Sequence, residues 1–240
     1  MPDAPRPCNV HPDIVGFKHP LPHLNHSLQR QRKTRIVAIG SSSTAGEKSN
    51  SGKIGVVPFP HRLELALRVR NFGRLVDVVN RGIGGQEAPA ELSRFGPDVI
   101  GEAPSLVIWQ VGTNAVFHKG VHHPDEVIRA IEVGLDWLKG LAMDVVLMDL
   151  QYVPATVEKD VDRKLSESLV ERISATAGKA HVNVFRRFEL MRRWCSNDHV
   201  SIADLINPED DKKLHMSEWA TSCVTEALYG AIAGAPEAAV

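Results

Sequence analysis

Three consecutive serines, Ser41, Ser42 and Ser43, follow the apolar run Ile36-Val37-Ala38-Ile39-Gly40, and Thr44-Ala45-Gly46 closes the stretch. A chain that passes from buried strand to small hydroxyl residues is building a turn that comes close to something. Two chemistries use such a turn. A phosphate loop needs G-x-x-x-x-G-K-[ST], so that the lysine reaches the phosphates from the first turn of a helix. Gly40, Gly46, Lys48 and Ser49 approximate it, and Asp149, ending a later apolar run, stands where a Walker B acid would. The glycines are one residue too far apart, Glu47 adds the wrong charge, and the next helical pattern waits until after Pro58. The helix N-terminus that cradles the anion is therefore missing. The second chemistry is nucleophilic. A serine hydroxyl becomes reactive beside a general base, which needs a group to orient it and fixed donors facing the oxyanion. Histidines, carboxylates and small-residue loops that could supply these parts lie elsewhere in the chain.

These residues are far apart in sequence, so the elements between them must bring them together. Short runs rich in Val, Ile and Leu fall at 35–40, 75–80, 106–112, 144–150 and 181–185. They are too short for helices and too uniformly apolar for half-exposed strands, which is the pattern of buried parallel strands. Helical patterns lie between them. In 124–141, Val127, Ile131, Leu135 and Leu138 share a face, with Pro124, Asp125 and Glu126 in the first turn, as proline's fixed φ and the helix dipole favour. A last helix starts near Ser217. The expected fold is a three-layer α/β/α sandwich with a doubly wound, flavodoxin-like five-stranded parallel sheet. In such sheets ligands bind outside the carboxyl ends of the strands, where Gly40–Gly46, Asn80–Gly85, Gly112–Asn114 and Gln151–Pro154 fall.

In that register the segments resemble the SGNH, or GDSL-type, hydrolases. Gly40-Ser41-Ser42-Ser43 is similar to the Gly-Asp-Ser-Leu block, with Ser42 on the nucleophile, Ser41 in place of the aspartate and Ser43 in place of the leucine. Asn80-Arg81-Gly82-Ile83-Gly84-Gly85 resembles N-x-G-x-x-G, Gly112-Thr113-Asn114-Ala115 resembles G-x-N-D with Ala115 for the acid, and Leu214-His215-Met216 resembles the base block. The resemblance implies a serine esterase acting on a short acyl ester, with Ser42 as nucleophile and His215 as base. The oxyanion donors would be the N–H groups of Ser42 and Gly85 and the Asn114 amide. Neither metal nor organic cofactor is implied. The family's acid lies three residues before the histidine, where this chain has Lys212. A one-residue bulge would present Asp211, the expected third member; Asp210, or a Ser–His pair alone, remain open. A sugar O-acyltransferase and a non-catalytic binding domain are the alternative functions.

The remaining features bound the reading. Charged residues make up 24% of 240 residues and the formal net charge is −1, a balance with no electrostatic pull toward nucleic acid or an acidic membrane. The expected partner is a small-molecule or glycan ester. Cys8, Cys195 and Cys223 form no disulfide framework, and cysteine usage of that kind predicts a reducing, cytoplasmic location; removal of an export leader stays open. Residues 1–34, rich in proline and histidine, are expected to be an extended arm on a hydrolase domain spanning 35–240, or else disordered. His118, His122 and His123 form a cluster with a conceivable zinc role, but a solvated or substrate-lining loop is favoured. Gln151 and Tyr152, after the fourth strand, either line the expected cleft or form a structural turn, whereas Trp109 and Gln110 read as core.

Overall fold

The computed structural model describes residues 6–46 and 55–237. Five strands, β1 (Lys33–Gly40), β2 (Leu75–Gly82), β3 (Leu106–Gln110), β4 (Asp144–Met148) and β5 (Asn183–Phe185), form one parallel sheet in the order 2-1-3-4-5. Alternate residues of each strand feed two separate cores. Ile36, Ala38, Leu106, Ile108, Val146 and Met148 point to one face, and Val37, Ile39, Val107, Trp109 and Leu147 to the other. The central strands β1 and β3 are dry on both faces, which is why they read as unbroken apolar runs, whereas the edge strand β2 is buried on alternate residues only.

The first face is covered by helices Pro22–Arg30, Phe59–Arg70, Arg187–Ser196 and Glu218–Ala233, and the second by Ala88–Leu92, Pro124–Leu138 and Asp160–Lys179. Helix Pro124–Leu138 starts with proline and two acids as expected, and Ser217 caps the last helix by accepting the Ala220 N–H at 3.2 Å. The chain begins in the middle of the sheet, winds outward to β2, then returns past β1 to β3. The strand order therefore reverses between β1 and β3, and that switch point opens a crevice at their carboxyl ends.

Residues 6–32 contain two short helices, Pro12–Val15 and Pro22–Arg30. Val15, Leu21 and Leu24 are buried in the first core, each worth about 2 kcal/mol of apolar transfer. Trp194 and Trp219 donate their indole N–H groups to the Asn9 and Arg6 carbonyls. Cys8 and Cys223 form a disulfide with Cα atoms 5.3 Å apart, and Cys195 is free. The expectation of unpaired cysteines is thus corrected. Partners 215 residues apart leave no local pattern, and only the docking of this segment onto the last helix brings them together. Among the described residues no helix is long and apolar enough to cross a membrane.

Candidate active site

Ser42 opens a four-residue helical turn, Ser42–Ala45, directly after β1. The turn forms because the Thr44 and Ala45 N–H groups find the Ser41 carbonyl at 3.1 and 2.9 Å. It is held from below by Gln110 at the end of β3. The Gln110 Oε1 lies 3.0 Å from both the N–H and Oγ of Ser41, 2.9 Å from the Ser43 Oγ and 3.2 Å from the Thr44 Oγ1. It is held from the side by Asn80, whose amide donates to the Thr44 carbonyl at 2.8 Å. Gly82 allows this approach, because a Cβ there would stand 2.1 Å from the Ala45 nitrogen. Lys48 and Ser49 of the phosphate-loop pattern lie outside the described residues.

The base arrives from the other end of the chain. The His215 Nε2 is 3.1 Å from the Ser42 Oγ, and its Nδ1 is 3.1 Å from the Asp210 Oδ2. Asp210, not the expected Asp211, is the acid at the ring. The Lys213 N–H returns to the Asp210 carbonyl at 2.9 Å, and Lys213 adopts φ 52°. This tight turn folds the Asp210 carboxylate back onto the N–H groups of Leu214 and His215, at 2.7 and 2.6 Å, and the Lys212 N–H, at 3.2 Å. Asp211, one position on, is exposed. Burial pushes the Asp210 pKa up, but the N–H groups of His215 and Leu214 and the facing imidazole outweigh it, so the net shift is downward. An ionised carboxylate only accepts. It therefore places the ring proton on Nδ1 and leaves Nε2, 3.1 Å from the Ser42 Oγ, as the nitrogen that can accept the serine proton.

The loops after β2 and β3 supply donors. Gly85 has φ 79° and, among the described residues, no heavy atom within 4 Å of a notional Cβ, while one on Gly84 would lie 3.9 Å from the Ser42 Cβ. The loop thus stands beside the nucleophile in a conformation that suits glycine. Asn114, 2% exposed, gives one amide hydrogen to the Gln86 carbonyl at 2.7 Å. The Ser42 N–H, at the first helical position, has no acceptor within its own turn. Ser42, Ser43, Val56, Pro58, His215 and Met216 line a depression of about 30 Å³ beside the nucleophile.

Gln151 does not line this site. It is 1% exposed and donates to the Leu214 carbonyl, bracing the base loop. Tyr152 is half-buried against Phe188, ring to ring at 5.2 Å. Asp149 and Arg187 are fully buried behind the nucleophile. Arg187 bonds the Asp149 carbonyl at 3.1 Å and the Ser43 Oγ at 3.2 Å, and the Asp149 Oδ1 accepts the Phe188 N–H at 2.9 Å. Burial raises the Asp149 pKa to about 7, against the Phe188 N–H and the Arg187 charge. Burial lowers that of Arg187 to about 10, against Asp149. His118 and His122 stand ring to ring at 6.5 Å, and the His122 Nε2 is 3.2 Å from the Gly85 carbonyl. Among the described residues no group of three His, Cys, Asp or Glu side chains is arranged to hold a metal ion. Gln110, Glu87 and Arg187 escaped the sequence analysis as site residues. For Gln110 a signal existed, since a lone amide at the end of a buried strand must find partners.

The model of the Non-GDSL lipase-like family matches residues 7–237. The chain belongs to that family. Among curated proteins none matches. Of solved structures, Axe2, an acetylxylan esterase from Geobacillus stearothermophilus, is similar with a TM-score of 0.69 at 18% identity, over 83% of this chain and 94% of that one. LAE5, an alpha/beta hydrolase from the metagenome of Lake Arreo, Spain, has a TM-score of 0.69 at 18% identity, over 85% and 97%. Variants of Axe2 altered at a serine, an aspartate and a histidine are described as catalytic mutants of that esterase. At this identity the likeness establishes the shared fold.

Proposed function

We propose that this member of the Non-GDSL lipase-like family is an SGNH-type serine esterase that hydrolyses short acyl esters, acetyl foremost. The observation that carries the reading is the relay from the Ser42 Oγ through both nitrogens of His215 to Asp210, at 3.1 Å for each step. In the reaction the Ser42 Oγ attacks the ester carbonyl while the His215 Nε2 accepts its proton. Negative charge develops on the carbonyl oxygen, facing the N–H groups of Ser42 and Gly85 and the Asn114 amide. Donors fixed before the charge appears stabilise the transition state more than the substrate. Collapse releases the alcohol, protonated by His215, and leaves an acyl-serine. Water activated by the same imidazole hydrolyses it and restores Ser42.

The depression beside Ser42 is small, about 30 Å³, which favours a short acyl group over a long chain. Axe2, described as an acetylxylan esterase, has the same fold, which favours an acetylated glycan as substrate. The Cys8–Cys223 bond favours an oxidising compartment over the reducing one expected from cysteine usage. The test is labelling with a serine-directed fluorophosphonate, followed by peptide mapping. The adduct is expected on Ser42 and lost in His215→Ala. Absence of any adduct, with no turnover of aryl acetates, would overturn the reading in favour of a binding domain. Acyl transfer to added sugar outcompeting hydrolysis would replace it by a transferase.

A further inference from the structure

Glu87 lies between the two loops that hold the proposed oxyanion donors, is 1% exposed, and takes no part in the chemistry described above. Its Oε1 accepts the N–H of Ala88 at 3.1 Å and of Gly112 at 2.7 Å, and its Oε2 accepts the N–H of Ala115 at 3.1 Å. Two of these three donors belong to the loop of Asn114, while Glu87 itself sits two residues after Gly85. Resting on the esterase reading, we propose that Glu87 is a positioning residue, whose ionised carboxylate clasps the Gly85 loop to the Asn114 loop and sets the spacing of two oxyanion donors. The contacts fit that charge state, because all three partners donate and a protonated acid would present a hydrogen to one of them.

Burial raises the Glu87 pKa, and the three N–H groups together with the nearby His122 offset that rise only in part. A second buried acid resolves the balance. Glu91 has its Oε2 on the Trp109 indole N–H at 2.7 Å and its Oε1 without a partner among the described residues. Burial, and then the charge of Glu87, push the Glu91 pKa well above the carboxylate range. Two acids this close cannot both be charged in a dry site. Glu91, with a single donor, keeps the proton, and Glu87, with three, keeps the charge. Ala115 occupies the position where the resembling family has an aspartate. In this chain the carboxylate reaches the same backbone from the neighbouring loop.

The test is Glu87→Gln, which has the same shape but only one accepting oxygen. Its NH2 group must face the N–H of Gly112 or of Ala115, donor against donor, and the Asn114 loop loses one of its two anchors to residue 87. The expected result is a 10- to 100-fold fall in kcat on an aryl acetate with KM within threefold of wild type, and an equal weakening of a trifluoromethyl ketone, whose hydrate-like adduct needs the same donors. Equal losses in kcat and affinity for substrate, or unchanged kcat and ketone inhibition, overturn the proposal while leaving Ser42-dependent turnover of the wild type intact. Absence of that turnover strikes the esterase reading instead. Should the variant not fold, amide hydrogen exchange in the wild type decides. The Gly112 and Ala115 N–H groups are expected to be protected at least 100-fold, and exchange at the rate of open loop refutes the clasp.

Discussion

Replacing Asp210 by Asn separates the acid that the turn geometry selects from its neighbour. The Asp210 carboxylate lies with Oδ2 3.1 Å from the His215 Nδ1 and is 5% exposed. Asparagine can keep its oxygen where Oδ2 stands and still accept the N–H groups of Leu214 and His215, now at 2.7 and 2.6 Å. What is lost structurally is the 3.2 Å contact from the Lys212 N–H to Oδ1, about 1 kcal/mol, so the variant folds. What is lost chemically is the negative charge facing the imidazolium formed as Ser42 attacks. With charge centres about 4 Å apart and an effective dielectric constant of about 20, that attraction is about 4 kcal/mol. At about 1.4 kcal/mol per tenfold, kcat/KM falls about a thousandfold. Asp211 is exposed, and Asp211→Asn is expected to cost less than threefold, as screened surface charges do. The assay is steady-state hydrolysis of an aryl acetate near neutral pH, with thermal melting to verify folding. An Asp210→Asn enzyme retaining more than a tenth of wild-type kcat/KM refutes the assignment, as does an equal loss in Asp211→Asn.

Met216→Ala opens the depression beside Ser42, so the butyrate-to-acetate ratio of kcat/KM should rise about tenfold, from two methylenes at about 0.8 kcal/mol each. A ratio unchanged within twofold in a chain-length series excludes that depression as the acyl site. Asp149 has a folded pKa of about 7 against an ordinary 3.8, raised by burial. The folded state therefore holds its proton more tightly, and the stability from this group is full below about pH 4 and is lost as pH rises toward 7. Wild type is expected to lose stability relative to Asp149→Asn across that window in urea denaturation; a constant or growing wild-type advantage contradicts the buried titration. Cys8→Ser releases the N-terminal segment from the last helix and should lower stability by about 2–4 kcal/mol. Under non-reducing conditions a melting curve coincident with wild type rules out the cross-link, and Cys195→Ser serves as the control.

How much of this was legible depended on whether the signal was local. The central strands were readable because burial on both faces leaves no polar alternation, and the starts of β2, β3 and β4 coincide with the apolar runs. Ser42, Gly85, Asn114 and His215 each sit in a block whose residue types are dictated within a few positions, such as the close approach that requires glycine at 82. Asp210 against Asp211 was not decidable that way. The choice turns on Lys213 at φ 52°, a conformation that no residue in the Asp-Asp-Lys-Lys run announces. The disulfide, with partners 215 residues apart, and Arg187, a buried cation in a helix rich in arginine, had no local signature at all.

The two acids of the SGNH pattern that this chain lacks pose a sharper question than the residues that are present. A turn packed against a sheet edge leaves backbone N–H groups that must be accepted by something once water is excluded. Where serine stands at 41, the neutral oxygen of Gln110 gathers the Ser41 N–H and the surrounding hydroxyls. Where alanine stands at 115, the carboxylate of Glu87 gathers the N–H groups of Gly112 and Ala115. The two solutions differ in charge, and the difference has a consequence. A neutral acceptor under the nucleophile adds no field opposing the charge that builds on the substrate, while the anionic one is covered by three N–H groups before it can act at a distance. The demand conserved between motif and structure is therefore an acceptor at a place, which a change of residue type can meet from another strand or loop.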